Sequence, residues 1–159
     1  MIYRKDIPSP VGTLTLASDG EKLVGLWMEG QKHFPEIPMK EIANLAVFRQ
    51  TELWLTRYFE GQEPDPAELP LAPAGSQFQQ EVWKLLLQIP YGRVTTYGQI
   101  AKEIGCKSAQ AVGGAVGRNP ISIIIPCHRV IASNGKLTRY AGGLERKQYL
   151  LELERAPVK

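Results

Sequence analysis

Cysteine and histidine are scarce in this sequence, which contains two of each among its 159 residues. Two cysteines cannot build the disulfide framework of a small secreted domain, and with His33 and His128 they supply no convincing set of zinc ligands. The sequence also lacks an apolar run long enough to cross a membrane, and no signal peptide is visible. These absences predict a cytoplasmic protein that needs no metal and binds no membrane.

A strong excess of one charge sign is also missing. The 19 basic and 16 acidic residues leave a formal net charge of +3, which permits binding to nucleic acid without indicating it. The basic residues of the second half are nevertheless grouped, and such a group is either a solvated surface or a nucleic-acid contact. Its members are Arg93, Lys102, Lys107, Arg118, Arg129, Lys136 and Arg139.

Prolines between residues 64 and 75 break both helix and strand, and they predict a linker. The linker separates an N-terminal α/β domain, residues 1–63, from a second domain, residues 76–159. The fold class is therefore α/β in the α+β sense. We expect a small sheet-plus-helix domain followed by a mostly helical domain, with a short strand leading to Cys127.

The N-terminal domain shows strand and helix patterns in turn. Alternation over residues 11–17 and the apolar run 23–28 predict two strands, joined by a turn at Asp19-Gly20. Apolar residues at helical spacing over residues 42–59 predict a helix. The residues assigned to the core are Leu45, Leu53, Leu55 and Phe59 of that helix, with Trp27, Trp54 and Trp83.

The most informative segment is the β-branched run 121–125, followed by Pro-Cys-His-Arg-Val at residues 126–130. The run predicts a buried strand that ends at Pro126. A thiolate is a nucleophile, an imidazole can take the thiol proton, and Arg129 can favour the anion. The alternative is that Cys127 is an inert core thiol, since free cysteine is among the most buried residue types.

Two short helices precede this segment. A threonine cap and Gly105 bound a helix within residues 95–105, and Ser108 caps a second helix over 109–117. Two short helices joined by a glycine-containing turn indicate a helix-turn-helix, although many helical hairpins bind nothing. Helices are also predicted over 76–88, where Ser76 and Gln79 form a capping box, and over 145–154.

The second helix is unusual for a reader of DNA bases. It carries three glycines, each of which costs about 1 kcal/mol relative to alanine, and Gln110 is its one long polar side chain. Something must therefore approach this helix closely. Tight helix packing and a smooth surface against a narrow groove explain the glycines equally well.

The Pro-Cys-His-Arg-Val segment resembles the active-site signature of the 6-O-alkylguanine-DNA alkyltransferases, also called methylated-DNA–protein-cysteine methyltransferases. The resemblance is closest to the bacterial type and extends in order over residues 76–154, whereas the first half matches only loosely. The other matching segments are residues 78–83, 89–92, 96–97, 111–115, 118–120 and 140–144.

The resemblance implies a role for individual residues. Cys127 is the alkyl acceptor, His128 activates it through a water, and Glu154 orients the imidazole, as in the triads of hydrolases. Asn119 ties the second helix to the active-site segment. Tyr97 assists rotation of the damaged nucleotide and protonates the leaving guanine. No cofactor is implied, because the alkyl group comes from the DNA.

The partner implied is double-stranded DNA that carries an alkylated guanine. The second helix lies in the minor groove, largely independent of sequence, and the target base is flipped out of the stack by a monomeric protein. The backbone of Cys127 and Val130 binds the guanine edge, and a glycine-containing loop closes over it. That loop consists of Tyr140, Ala141, Gly142 and Gly143. The DNA contacts are Thr96, Gln110, Ala111, Gly114, Ala115, Arg118 and Arg129.

Two residues depart from the family pattern. Gln110 stands where the family usually has an arginine that fills the gap left by the flipped base. Arg139 stands where bacterial members often have a glycine, and it either contacts a phosphate or narrows the pocket.

Two other functions compete with alkyl transfer. A damage-binding protein without chemistry usually has tryptophan at the acceptor position, which Cys127 argues against. A cysteine hydrolase needs an oxyanion hole and would turn over an activated ester.

Overall fold

The computed structural model describes residues 1–157, and the chain divides into two compact units. Unit 1 consists of Met1–Ala74 with Pro120–Ser122, and unit 2 of Gly75–Asn119 with the chain from Ile123 onward. No helix among the described residues is both long and apolar enough to cross a membrane. Each unit contains its own set of buried apolar residues.

Unit 1 contains a four-stranded sheet in the order β3-β2-β1-β4. The strands are β1 Tyr3–Ile7, β2 Leu14–Ser18, β3 Leu23–Met28 and β4 Lys40–Glu41. Strand β2 is antiparallel to both β1 and β3, and β4 is parallel to β1. The predicted turn joins β2 to β3, where Gly20 adopts a φ of 111° that other residues rarely tolerate.

Helix α1, Ala46–Phe59, covers the residues that the apolar periodicity indicated but begins four positions later than predicted. Its buried face is Val47, Phe48, Thr51, Trp54, Leu55 and Tyr58. The prediction that Leu53 lies in the core is wrong, because Leu53 is 68 % exposed. At about 100° per residue, Leu53 falls outside the face that Trp54 and Tyr58 share.

Unit 2 is mostly helical, which confirms the predicted fold class. Its helices are α2 Gln77–Leu86, α3 Tyr97–Glu103, α4 Ala109–Gly117 and α5 Leu144–Leu153, and its strands are β5 Thr95–Thr96 and β6 Val130–Ile131. Helices α3 and α4 pack against each other as a helical hairpin. The short parallel pair of β5 and β6 places the start of α3 beside the residues that follow Cys127.

The helix starts follow from their caps. The Ser76 hydroxyl accepts from Gln79 N–H while the Gln79 side chain accepts from Ser76 N–H, and this capping box starts α2. Thr96 accepts from Gln99 N–H, and Ser108 accepts from Ala111 N–H, both at 3.0 Å. The sequence therefore located these starts correctly because the signals are local.

The strand predicted just before Cys127 is absent. Ile121 forms an isolated bridge with Leu26 and then the chain turns, with a φ of 72° at Ile123. Cys127–Arg129 form a 3-10 helix, and strand β6 follows the cysteine instead of leading to it. The backbone hydrogen bonds after Ser122 join residues close in sequence; Cys127 N–H, for example, donates to Ile125 O at 2.8 Å. The apolar run is therefore buried in turns and is not part of a β-sheet.

Two buried indoles allow a matched test of packing. Trp83 Nε1 donates to Ala115 O in unit 2, and Trp54 Nε1 donates to Asp65 O in unit 1, both at 2.9 Å. We expect Trp83→Phe and Trp54→Phe each to lower the free energy of unfolding by about 1–2 kcal/mol, because each loses one hydrogen bond and some packing volume. Urea unfolding followed by circular dichroism measures both. An unchanged unfolding curve would contradict the role of the bond concerned.

Candidate active site

Cys127 opens the 3-10 helix and is only 5 % exposed. Burial raises the pKa of its thiol, and neither the Asn119 hydrogen bond nor the Lys147 charge cancels that effect. The resting form at neutral pH is therefore the thiol, and a thiolate nucleophile requires a base that removes the proton.

The residue after the thiol is His128, and its buried imidazole lies next to a buried carboxylate, that of Glu154. His128 Nε2 lies 2.5 Å from Glu154 Oε2, and both side chains are fully buried. Burial lowers the pKa of His128, although Glu154 opposes the effect, so the ring is neutral. A neutral ring that donates from Nε2 to the carboxylate keeps the lone pair on Nδ1. That Nδ1 atom is buried and has no hydrogen-bond partner among the described residues.

Glu154 is ionised because two side chains, His128 and Arg129, bind its carboxylate. Burial by itself raises the pKa of Glu154, but the hydrogen bonds from His128 and Arg129, with the Arg129 charge, outweigh burial and hold the pKa at about 2. Its Oε1 accepts from Arg129 Nε at 2.7 Å while Oε2 faces His128. The network of His128, Glu154 and Arg129 thus joins the 3-10 helix to the C-cap of α5.

Arg129 does not occupy either position predicted for it. It was expected to favour the thiolate and to contact DNA, but it is buried and paired with Glu154. Its Nη1 donates to Ile89 O at 2.7 Å, and its guanidinium lies 5.7 Å from the centre of the Tyr91 ring. The Arg129 charge is therefore committed to the carboxylate that orients His128.

Sequence reasoning missed Lys147. This residue of α5 has 0 % exposure, and its Nζ donates to Val130 O at 2.6 Å and to Arg139 O at 2.7 Å. Burial lowers the pKa of Lys147 to about 8, and its charge in turn lowers the pKa of the Cys127 thiol. The positive charge expected from Arg129 comes from Lys147 instead.

A signal for Lys147 was present in the sequence. The residues of α5 and its C-cap that face inward are Lys147, Leu150, Leu151 and Glu154, at helical spacing. A lysine and a glutamate on the apolar stripe of one helix indicate buried charges that need partners. One lone pair of the Val130 carbonyl, which was expected to bind the guanine edge, is used by this lysine.

Asn119 and Tyr97 lie where α4 and α3 meet the cysteine segment. Asn119 Nδ2 donates to Ile125 O at 2.7 Å, which joins the end of α4 to the residues before Cys127. Tyr97 is buried at the start of α3. Burial raises its pKa, and the nearby Arg139 guanidinium opposes the effect. The Cys127 thiol lies close enough to contribute to the pKa of Tyr97.

The loop of residues 140–143 covers the same region. The Tyr140 hydroxyl is buried near the Cys127 thiol, and burial followed by the Cys127 charge raises its pKa. Gly143 N–H donates to Tyr140 O at 3.0 Å and Gly143 adopts a φ of 91°, so the loop turns tightly there. Ala141 and Gly142 are half-buried. No group of three or more His, Cys, Asp or Glu side chains in residues 1–157 is arranged to hold a metal ion.

The glycines of α4 have two different explanations. A Cβ at Gly113 would lie 2.8 Å from Arg139 Nη1, so this glycine permits close packing inside unit 2. A Cβ at Gly114 or Gly117 would meet nothing within 4 Å, so these two leave a smooth outer surface. Gly113 thus packs against a side chain of the loop between β6 and α5, and the smooth surface that the sequence predicts is present at Gly114 and Gly117.

The residues expected to contact DNA separate in the same way. Gln110, Ala111, Gly114 and Arg118 are exposed, and Thr96 is half-buried with its hydroxyl used as the α3 cap. Ala115 is buried, with its carbonyl accepting from Trp83. An outward contact from the Ala115 side chain is inconsistent with this position.

Comparison with known proteins agrees with the resemblance over the whole chain. Residues 77–156 match the 6-O-methylguanine DNA methyltransferase DNA binding domain, and residues 2–73 match the ribonuclease-like domain of the same proteins. The chain is 48 % identical over 155 residues to the methylated-DNA–protein-cysteine methyltransferase of Methanosarcina acetivorans, an alignment that covers 96 % of this chain and 98 % of the relative. It is 44 % identical over 157 residues to the Haemophilus influenzae protein of the same name, covering 98 % and 88 %.

A solved structure shares the fold as well. The crystal structure of Mycobacterium tuberculosis OGT in complex with DNA superposes with a TM-score of 0.87 at 46 % identity, covering 98 % of this chain and 95 % of that one. The predicted α+β class and the resemblance are both confirmed by these similarities.

The Glu154 network makes a prediction about pH. Its folded pKa of about 2 lies below the ordinary value of 4.5, so its contribution to stability is complete above pH 4.5 and decreases as pH falls towards 2. We expect Glu154→Gln to lower the free energy of unfolding at pH 7 by about 3–5 kcal/mol, because it leaves the Arg129 charge buried without its carboxylate.

Urea unfolding of both proteins between pH 7 and pH 2.5 measures this difference. The gap between wild type and Glu154→Gln should narrow as the pH falls below 4.5. Glu152→Gln, on the exposed side of α5, is the matched control and should show no such gap. A gap that stays constant with pH would contradict the assignment of a depressed pKa to Glu154.

Proposed function

Because the chain belongs to the 6-O-methylguanine DNA methyltransferase family, we propose that it repairs DNA by moving the methyl group of 6-O-methylguanine to its own Cys127. The observation that carries this proposal is the buried Cys127 thiol beside a neutral His128 whose ring is held by ionised Glu154. A buried nucleophile, a base and a group that orients the base are the parts that nucleophilic transfer requires.

The reaction balances with the residues present. His128 Nδ1 accepts the thiol proton through a water, and the sulfur attacks the methyl carbon as the carbon–oxygen bond to guanine breaks. The electron pair of that bond goes to the guanine, which takes a proton from the Tyr97 hydroxyl. The product is a thioether, which water does not cleave, so each protein molecule acts once. No cofactor takes part, because the DNA supplies the methyl group.

The surface of α4 supports binding in the minor groove. Gly114 and Gly117 leave that surface smooth, and Gln110 and Ala111 are exposed on its first turn. We place this helix against double-stranded DNA, with the damaged base flipped into the pocket, since the reacting carbon is inaccessible inside the stack. One chain supplies every residue of the network, so we propose a monomer. A reduced acceptor thiol fits the cytoplasm.

Mass spectrometry of the intact protein tests the transfer directly. After incubation with an oligonucleotide that contains one 6-O-methylguanine, we expect a gain of one methylene unit, at most once per protein and mapped to Cys127 by digestion. Cys127→Ala should lose this gain and keep DNA binding. Cys106→Ala removes the other free thiol and is the matched control that should transfer normally.

No mass gain from a folded wild-type protein would contradict alkyl transfer. If that protein still bound the damaged oligonucleotide preferentially, it would be a sensor of alkylated DNA. Turnover of an activated ester would instead indicate a cysteine hydrolase.

Gln110 provides a second test, of the docking surface. It is exposed near the start of α4 and brings no charge, so Gln110→Arg should tighten binding to duplex DNA. The log–log dependence of affinity on salt should also steepen by about 0.9, because one more phosphate is neutralised. Gln77→Arg adds the same charge to the exposed first residue of α2 as a control. Equal effects of the two substitutions would contradict a special position for Gln110.

A further inference from the structure

Arg139 has unusual surroundings for an exposed arginine. It lies in the loop between β6 and α5, and its guanidinium stands 5.6 Å from the centre of the Tyr97 ring. Its Nη1 occupies the space that a Cβ at Gly113 of α4 would need. The guanidinium therefore lies against both helices of the helical hairpin, over Tyr97 of α3 and beside Gly113 of α4.

The backbone that carries this side chain is also held in place. The Arg139 carbonyl accepts from the buried Lys147 Nζ at 2.7 Å. Stacking on an aromatic ring restricts the guanidinium further, so less rotamer entropy remains to be lost when its N–H groups bind a partner. No carboxylate in residues 1–157 forms an ion pair with Arg139. The Arg139 guanidinium is thus held in place by its neighbours and has no carboxylate partner among the described residues.

Arg139 contacts groups around the thiol but is not itself buried. Tyr97 and Lys147 both lie near enough to Cys127 to share its electrostatic field, and both contact Arg139. Cys127 and Lys147 are buried, whereas Arg139 is exposed. The Arg139 side chain is thus accessible to a ligand from solvent while it contacts two neighbours of the thiol.

Two other cations near the thiol are already used. Arg129 is paired with Glu154, and Lys147 is enclosed by two carbonyl oxygens. Gln110, at the start of α4, carries no charge. A flipped nucleotide brings its flanking phosphodiesters to the entrance of the pocket, and a planar guanidinium can bind a phosphate through two parallel N–H donors.

We propose that Arg139 binds the phosphodiester next to the flipped nucleotide and so holds that nucleotide over Cys127. This assignment rests on the proposed function, because it requires a nucleotide to enter the pocket. It gives the chain a phosphate contact from the loop between β6 and α5. Arg139 then acts as a positioning residue, and Tyr97 supplies the ring on which it is held.

Binding measurements in a Cys127→Ala background test this proposal without interference from the reaction. The probe is a duplex with one 6-O-methylguanine. We expect Arg139→Ala to weaken binding about tenfold and to reduce the magnitude of the log–log salt slope by about 1. Arg139→Lys should keep the slope and lose part of the affinity, because it keeps the charge without the planar fork. Arg49→Ala removes an exposed arginine of α1 and should change neither quantity.

Neutral methylphosphonate linkages locate the contact. Replacing the phosphates beside the lesion one at a time should weaken binding at one position, and at that position Arg139→Ala should cause no further loss. An unchanged salt slope, with no methylphosphonate position that depends on Arg139, would overturn the proposal. If Arg139→Ala with Cys127 intact transferred benzyl groups faster relative to methyl groups, Arg139 would be a steric gate instead.

Failure of the proposed function would look different. Wild-type protein that gains no mass from methylated DNA lacks the transfer activity whatever Arg139 does. Normal mass gain together with an Arg139-independent salt slope would overturn the assignment of Arg139 alone.

Discussion

The carboxylate of Glu154 has two partners at once, and the chemistry of the site depends on that arrangement. His128 alone would lose its orientation, and Arg129 alone would be a buried charge without compensation, which proteins tolerate poorly. With the carboxylate between them, the guanidinium keeps Glu154 ionised and the ionised carboxylate keeps the proton of the neutral imidazole on Nε2. Because the proton is on Nε2, the lone pair of the His128 Nδ1 atom is free to accept a proton. A base is thus prepared next to a thiol that is itself protonated at rest.

Helix α5 supplies the second half of the electrostatics. Lys147 and Glu154 are two turns apart on its buried face, so one helix carries both a cation near the thiol and the anion behind the imidazole. Lys147 satisfies its buried charge with the carbonyls of Val130 and Arg139, and the same bonds hold the strand after the cysteine and the loop over the pocket. Stability and reactivity are coupled here, because removing either charge leaves buried polar groups without partners.

Helix α4 contains three glycines, which are weak helix formers. Its glycines reduce helix stability, and the Ser108 cap and the bond from Trp83 to Ala115 offset part of that loss. Gly113 admits the Arg139 guanidinium on the inner side, whereas Gly114 and Gly117 leave the outer side flat. One helix therefore packs against the Arg139 side chain on one side and presents a flat surface on the other.

The sequence by itself determined those features that depend on neighbours along the chain. Capping residues located the starts of α2, α3 and α4, the Asp19-Gly20 turn located the hairpin, and the Cys-His pair indicated the candidate site. Periodicity misplaced Leu53, because apolar character does not say which side of a helix faces the core. Only the tertiary structure decided the partners of the buried charges: Arg129 pairs with Glu154, and Lys147 lies near the thiol. It also decided that the run before Cys127 forms turns and not a strand. These outcomes depend on groups far apart in sequence, since a buried charge is stabilised by whatever the fold brings within hydrogen-bonding distance.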